Sequence, residues 1–229
     1  MTQRGLFLTT VVLMVGALAA SPSAQAPSGS TAPFVPVSAD RLLNAEDEPN
    51  NWLMYSGNYK SQRYSGLDQI DRANAAGLEI QWVHQLSTLD QAETTPIVVD
   101  GVMYITASPS TVIAVDAATG RPFRRYEHPL PDDMVFCCGR NNRGVAVQGD
   151  HIIMSTLDAH LVALDPKTGS VMWDTTTSET TSGYSKTAAP LIVGDKVFSG
   201  IDGGEYGIRG FVDAYNVNSG EQEWRFMTT

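Results

Sequence analysis

Two features of this 229-residue chain could do chemistry. Cys137 and Cys138 are adjacent and are its only cysteines. Neighbouring Cα atoms lie ~3.8 Å apart across a trans peptide, below the usual disulfide span, so a bond between them would be strained. Two buried free thiols are the open alternative, and an oxidising compartment favours the bridge. The second feature is Glu205, set in Gly203-Gly204-Glu205-Tyr206-Gly207. A loop carboxylate can offer two oxygens to a hard cation such as Ca²⁺, which takes about six to eight. Most loop glutamates are simply hydrated.

Other chemistries lack support. His84, His128, His151 and His160 show no metal-ligand spacing and read as scattered surface or turn histidines. No G-x-S-x-G, P-loop or G-x-G-x-x-G occurs, nor the C-x-x-C-H of haem attachment. Two cysteines exclude multi-Cys zinc sites and disulfide-rich scaffolds. The net charge of −10, without a Lys/Arg run, excludes a nucleic-acid binder.

The elements that must position these residues repeat along the chain. Three segments share one pattern: Val112 to Gly120 through Asp116, Leu161 to Gly169 through Asp165, and Val212 to Gly220 through Asn216. Their glycines are 49 and 51 residues apart. Each reads as a strand, a tight glycine turn and a second strand. A further hairpin precedes each one, at 96–106, 144–155 and 190–199, turning on Asp100-Gly101, Gly149-Asp150 and Gly194-Asp195. Four strands per period of about 50 residues are the content of one propeller blade. Residues 77–83 read as the last strand of a preceding blade, and 71–78 as one or two helical turns. The chain is therefore all-β, with three blades and part of a fourth. Such an arc leaves a packing face open at each end, so the sequence reads as the front part of a longer protein.

Residues 1–26 carry Arg4, an apolar run from Gly5 to Ala20, and Ala24-Gln25-Ala26. That pattern predicts a secretory signal peptide, too short for a comfortable membrane span, and hence a periplasmic protein with no stable span in its mature form. Residues 27–46, rich in Pro, Ser and Ala and then acidic, predict a disordered leader, with the propeller part over 47–229.

The repeat Ala-x-Asp-x-x-Thr-Gly-x-x-x-Trp resembles the tryptophan-docking motif of eight-bladed quinoprotein propellers. The second copy matches fully; the first has Arg124 at the Trp position, and the third has Asn216 and Ser219 for Asp and Thr. Four other stretches resemble the pyrroloquinoline quinone (PQQ)-dependent alcohol dehydrogenases of the methanol/ethanol family. They are Trp52-Leu53-Met54-Tyr55-Ser56-Gly57 through Arg63-Tyr64-Ser65, Glu93-Thr94-Thr95-Pro96, Cys137-Cys138 through Asn142-Arg143-Gly144, and Gly203 through Gly210. The resemblance runs from about Asn51 to the end.

It implies an oxidoreductase that takes hydride from a primary alcohol onto PQQ. A bound Ca²⁺ or lanthanide would polarise the quinone, and electrons would pass to a cytochrome c or a quinone. It implies a vicinal disulfide between Cys137 and Cys138 against the PQQ ring, and Glu205 as a metal ligand. Glu93, Arg143 and Thr187 match positions that hydrogen-bond the cofactor: an Arg fork suits a carboxylate and Thr187 can donate one hydroxyl hydrogen. Gly203 and Gly204 fit backbone approaching a flat cofactor. Asp202 departs from the pattern, standing where the family usually has a small hydroxyl residue. Its charge would repel a cofactor carboxylate unless the metal or Arg143 offsets it, or it could add an oxygen to the metal. The family's catalytic aspartate is expected beyond Thr229, so no catalytic residue is assigned and the stretch alone should be inactive. A cofactor-free propeller scaffold for cell-envelope assembly would share the repeats and the signal peptide, but would give no reason for the cysteine pair, Arg143 and the Gly203 loop to occur together.

Overall fold

The structure is a computed structural model describing residues 34–229. The expected signal peptide, and residues 27–33 of the leader, lie outside them. Twelve strands form three four-stranded antiparallel sheets, each a meander in chain order. The first holds β1 (Ile97–Val99), β2 (Val102–Ala107), β3 (Thr111–Asp116) and β4 (Pro122–Glu127). The second holds β5 (Val145–Gln148), β6 (His151–Ser155), β7 (His160–Leu164) and β8 (Val171–Thr176). The third holds β9 (Leu191–Val193), β10 (Lys196–Gly200), β11 (Phe211–Asn216) and β12 (Gln222–Met227). This is part of a β-propeller, with the paired hairpins where turn chemistry placed them.

The blades are alike in detail. In each, the register shifts at one place: Ala114/Val115, Ala163/Leu164 and Ala214/Tyr215. The turn that follows is held by one side-chain oxygen. Asp116 Oδ1 accepts from the backbone of Ala118 and Thr119, Asp165 Oδ1 from Lys167 and Thr168, and Asn216 Oδ1 from Asn218 and Ser219. An amide oxygen accepts these bonds as a carboxylate does, which is why the third copy tolerates Asn216. Ser219 likewise does the work of Thr119 and Thr168, its Oγ accepting from Glu221 N as theirs accept from Arg121 N and Ser170 N.

Apolar faces between neighbouring sheets make the core. Ile97, Val99, Tyr104 and Ala114 of the first sheet pack with Val145, Ile152, Met154 and Val162 of the second. Ala146, Ile153, Leu161 and Trp173 pack with Ile192, Val197 and Tyr215 of the third. The outermost strands β4, β8 and β12 are largely exposed, while β3, β7 and β11 are mostly buried.

Three expectations need correction. The leader is ordered from residue 34: Val37 bridges to Gly149, and helix α1 (Ala39–Leu43), capped by Ser38 Oγ accepting from Arg41 N, buries Leu42. Composition hid this because a few apolar side chains, Val37, Leu42 and Ala45, suffice to dock the segment into the core. Among the described residues, 77–83 form no strand. A strand needs a partner for its backbone, none of the described strands pairs with this segment, and Ile80 and Val83 are exposed. The predicted helical turns shrink to one 3-10 turn, Ala75–Gly77.

Candidate functional site

The site is built where the chain enters successive blades. Thr95, Arg143 and Thr187 precede β1, β5 and β9, and their backbones are laced together: Thr95 N donates to Arg143 O at 3.0 Å, and Arg143 N donates to Thr187 O at 2.9 Å. Residues from three blades are thus held in one row by main-chain bonds. Asp202, just beyond β10, forms an isolated antiparallel bridge with Ser185, ahead of β9, and this brings the glycine loop alongside.

Side chains complete the row. Arg143 Nη2 forms an ion pair with Glu93 Oε2 at 2.9 Å, and Arg143 Nη1 donates to Thr187 Oγ1. Thr187 N and Oγ1 both donate to Asp202 Oδ2, at 2.8 and 2.7 Å. In this arrangement Thr187's single hydroxyl hydrogen is spent on Asp202, and its lone pair orients Arg143. The Asp202 charge is therefore met by two donors from Thr187, with Arg143 one bond further on.

Cys137 and Cys138 are disulfide-bonded to each other. Glu205 Oε1 lies 3.6 Å from Cys138 Sγ, a contact between two electron-rich atoms, since a bridged sulfur has no hydrogen to donate. The two loops are tied together by Tyr206, whose hydroxyl donates to Phe136 O at 2.8 Å. Gly203 is required by its surroundings: its φ is +118°, and a Cβ there would lie 2.0 Å from Gly183 O. Cys137, Cys138, Arg143, Thr187, Asp202, Gly203, Gly204 and Glu205 line one open cavity of about 410 Å³. Glu93 reaches it through Arg143.

Sequence reasoning missed the electrostatic support. Lys186 is 2% exposed, donates from Nζ to Ser199 Oγ at 3.0 Å and Gly200 O at 2.6 Å, and sits in the field of Asp213 and Asp202. Burial lowers its pKa to about 8 against the pull of those carboxylates. Asp213, fully buried, accepts from Arg225 Nε and Nη2, both at 2.7 Å, and from the Tyr215 hydroxyl at 2.5 Å. Burial first, and then Asp213, push the Tyr215 phenol well above its ordinary value. No sequence signal marks Lys186, because lysine is ordinarily a surface residue. The histidine reading also needs correction: His128 and His151 are buried, and His128 and His160 meet across Asp158. Their separation of 32 residues concealed that meeting.

Comparison with known proteins places the chain in a family. Residues 52–229 match the family profile of the PQQ glucose/ethanol/alcohol dehydrogenase β-propeller domain. The chain is 43% identical over 185 residues to the quinohemoprotein alcohol dehydrogenase ADH IIB of Pseudomonas putida, covering 80% of this chain and 27% of that protein. It is 39% identical over 191 residues to a lanthanide-dependent methanol dehydrogenase of Methylacidiphilum fumariolicum, covering 81% and 31% respectively. The solved structure of the quinohemoprotein alcohol dehydrogenase ADHIIG from Pseudomonas putida HK5 superposes with a TM-score of 0.81 at 39% identity, covering 86% of this chain and 29% of that one. The chain thus spans under a third of the length of these relatives.

Proposed function

The chain belongs to the PQQ-dependent alcohol dehydrogenase family, and from that premise we propose that it supplies one side of the cofactor site of an oxidoreductase that oxidises primary alcohols with PQQ and a bound Ca²⁺ or lanthanide ion. The observation that carries this reading is the single cavity uniting the cysteine pair, Arg143, Asp202 and Glu205 from loops of two different sheets.

The donor set fits such a group. A planar, polyanionic quinone needs a flat uncharged floor, a cation for its carboxylates and a hard metal beside it. The disulfide is uncharged and cannot titrate, and it faces the cavity. Arg143 uses one donor on Glu93 and one on Thr187, keeping further N–H groups for an incoming carboxylate. Glu205 Oε1 touches only the disulfide sulfur among the described residues, so its oxygens are available to a cation.

When bound, PQQ supplies a two-electron acceptor and the metal supplies Lewis acidity. The chain's own residues hold and orient. Glu93 and Thr187 fix the Arg143 fork; Tyr206 fixes the Glu205 loop against the cysteine loop; Lys186 offsets the carboxylate charge of Asp202. We further propose export to the periplasm, from the signal pattern of residues 1–26, and transfer of electrons to a cytochrome c or a quinone.

The test is a titration of the complete oxidoreductase that carries this chain with PQQ in the presence of Ca²⁺ or La³⁺, followed by absorbance, with Glu205→Ala alongside. A saturable, metal-dependent change that Glu205→Ala abolishes supports the reading. No saturable change with either metal overturns it.

A further inference from the structure

We propose that the seam between the first and second sheets is a zinc site, with His128 Nε2, Asp158 Oδ2 and His160 Nε2 as its protein ligands. His128 lies just beyond the end of β4, and Asp158 and His160 belong to the hairpin from β6 to β7. None of the three lines the cofactor cavity. Their ligand atoms all lie within 4.8 Å of one another, with Asp158 Oδ2 3.2 Å from His128 Nε2 and 3.8 Å from His160 Nε2. Ligands bound at ~2.0 Å around tetrahedral zinc stand ~3.3 Å apart, close to the two spacings to Asp158, while the two imidazole nitrogens, within 4.8 Å, must close by at most ~1.5 Å.

The surroundings are those of a metal-binding set. A ligating imidazole usually donates its other N–H to a carboxylate or another fixed acceptor, which sets the tautomer. His160 Nδ1 lies 2.7 Å from Asp174 Oδ1, and His128 Nδ1 lies 3.1 Å from the Tyr126 hydroxyl. The second oxygen of Asp158 accepts from Thr156 Oγ1 at 2.6 Å, leaving Oδ2 to face the imidazoles. Without a metal, His128 Nε2–H donates to Asp158 Oδ2; zinc would displace that proton to solvent and shift the hydrogen to Nδ1, so that two nitrogen lone pairs and a carboxylate oxygen converge on the ion. Thr176 Oγ1, 3.2 Å from His160 Nε2, donates to that lone pair and gives it up by a χ1 rotation.

The donor types choose the metal class. Two imidazoles and one carboxylate suit zinc and its first-row neighbours, whereas Ca²⁺ and lanthanides want oxygen. The His128 and Asp158 side chains are 5% and 6% exposed and that of His160 is 24% exposed, so one side admits a water as fourth ligand and gives the ion an entry path. Because the ligands come from two sheets, the bound ion would staple them. Its effect would appear in stability rather than in turnover.

The experiment uses the untagged protein, stripped with a chelator, then titrated with Zn²⁺ against a chromophoric zinc indicator. Co²⁺ is used in parallel for its visible bands. One equivalent of Zn²⁺ should bind and raise the melting temperature, and the count should be the same in Glu205→Ala. His160→Gln, at the most exposed ligand, should lower zinc affinity at least tenfold and bleach the Co²⁺ bands of four-coordination. Asp174→Asn should weaken binding less. Unchanged zinc affinity in His160→Gln, or no binding at micromolar Zn²⁺ by a folded protein, would overturn the assignment. Loss of zinc in Glu205→Ala with retention in His160→Gln would place the ion at the cofactor cavity instead, and also overturns it.

Discussion

The indole N–H of Trp173 donates to the carbonyl of Val217 at 3.0 Å while its ring lies over Gly220, binding the second sheet to the third. The same relation recurs one blade earlier with a different residue. Arg124 lies over Gly169 and its Nη1 donates to Pro166 O, the carbonyl equivalent to that of Val217. A guanidinium offers the N–H that an indole would, so the apparent defect in the first repeat is a chemical substitute. Trp82 completes the series, its Nε1 donating to Ala117 O at 3.2 Å over Gly120, although its backbone pairs with no strand.

Gly220→Ala should be costly. The residue has φ +71°, and an added Cβ would lie 2.6 Å from Trp173 Cε3. Left-handed backbone at a non-glycine residue costs ~1 kcal/mol and overpacking a further ~1–3 kcal/mol. A loss of unfolding free energy by that combined amount is expected, read as a lower denaturant midpoint at an unchanged m-value.

Arg124→Trp and Arg124→Ala should separate. Alanine strands the Pro166 carbonyl and uncovers Gly169, costing about 1–2 kcal/mol. Tryptophan restores both contacts, so its melting temperature should stay close to that of the parent.

Stability should climb with pH between about 8 and 10.5 because of Lys186. Its folded pKa is lowered from 10.5 to about 8, so within that window the unfolded chain binds more protons than the folded one. Below pH 8 the cost of burying the charge is present in full; it fades as pH rises. The whole effect is at most ~3 kcal/mol. Denaturation at pH 7 and pH 9.5 should show the gain, and Lys186→Met should remove the slope. Tyr104 and Tyr215 have raised pKa values and oppose it only at higher pH.

Arg225→Ala should destabilise more than any exposed ion-pair change. It leaves the fully buried Asp213 carboxylate without its bidentate partner, worth about 3 kcal/mol. Asp213→Asn combined with Arg225→Ala should recover part of that loss in a double-mutant cycle.

Arg143→Lys should weaken PQQ binding about tenfold or more while leaving the melting temperature nearly unchanged. A lysine cannot fork to a carboxylate, and the Arg143–Glu93 pair, more than a third exposed at Arg143, contributes little to stability. Equilibrium dialysis with PQQ and thermal unfolding on the same sample read the two effects separately.

By itself the sequence determined the blades. Each hairpin is a local object: a turn glycine, a side-chain oxygen such as Asp116 or Asn216, and flanking apolar residues suffice, because their interactions span a few residues. It also singled out the two loops that meet at the open cavity, since Cys137-Cys138 and Gly203-Gly204-Glu205 are recognisable by type and order. The tertiary structure decided everything that depends on loops a blade or more apart meeting. It turned Asp202 toward Thr187, made Arg124 a docking residue, buried Lys186 among carboxylates, and brought His128 to Asp158 and His160. The physical reason is one of range: hydrogen bonds and burial act over a few ångströms in space. Separation along the chain says little about that distance until the sheets have stacked.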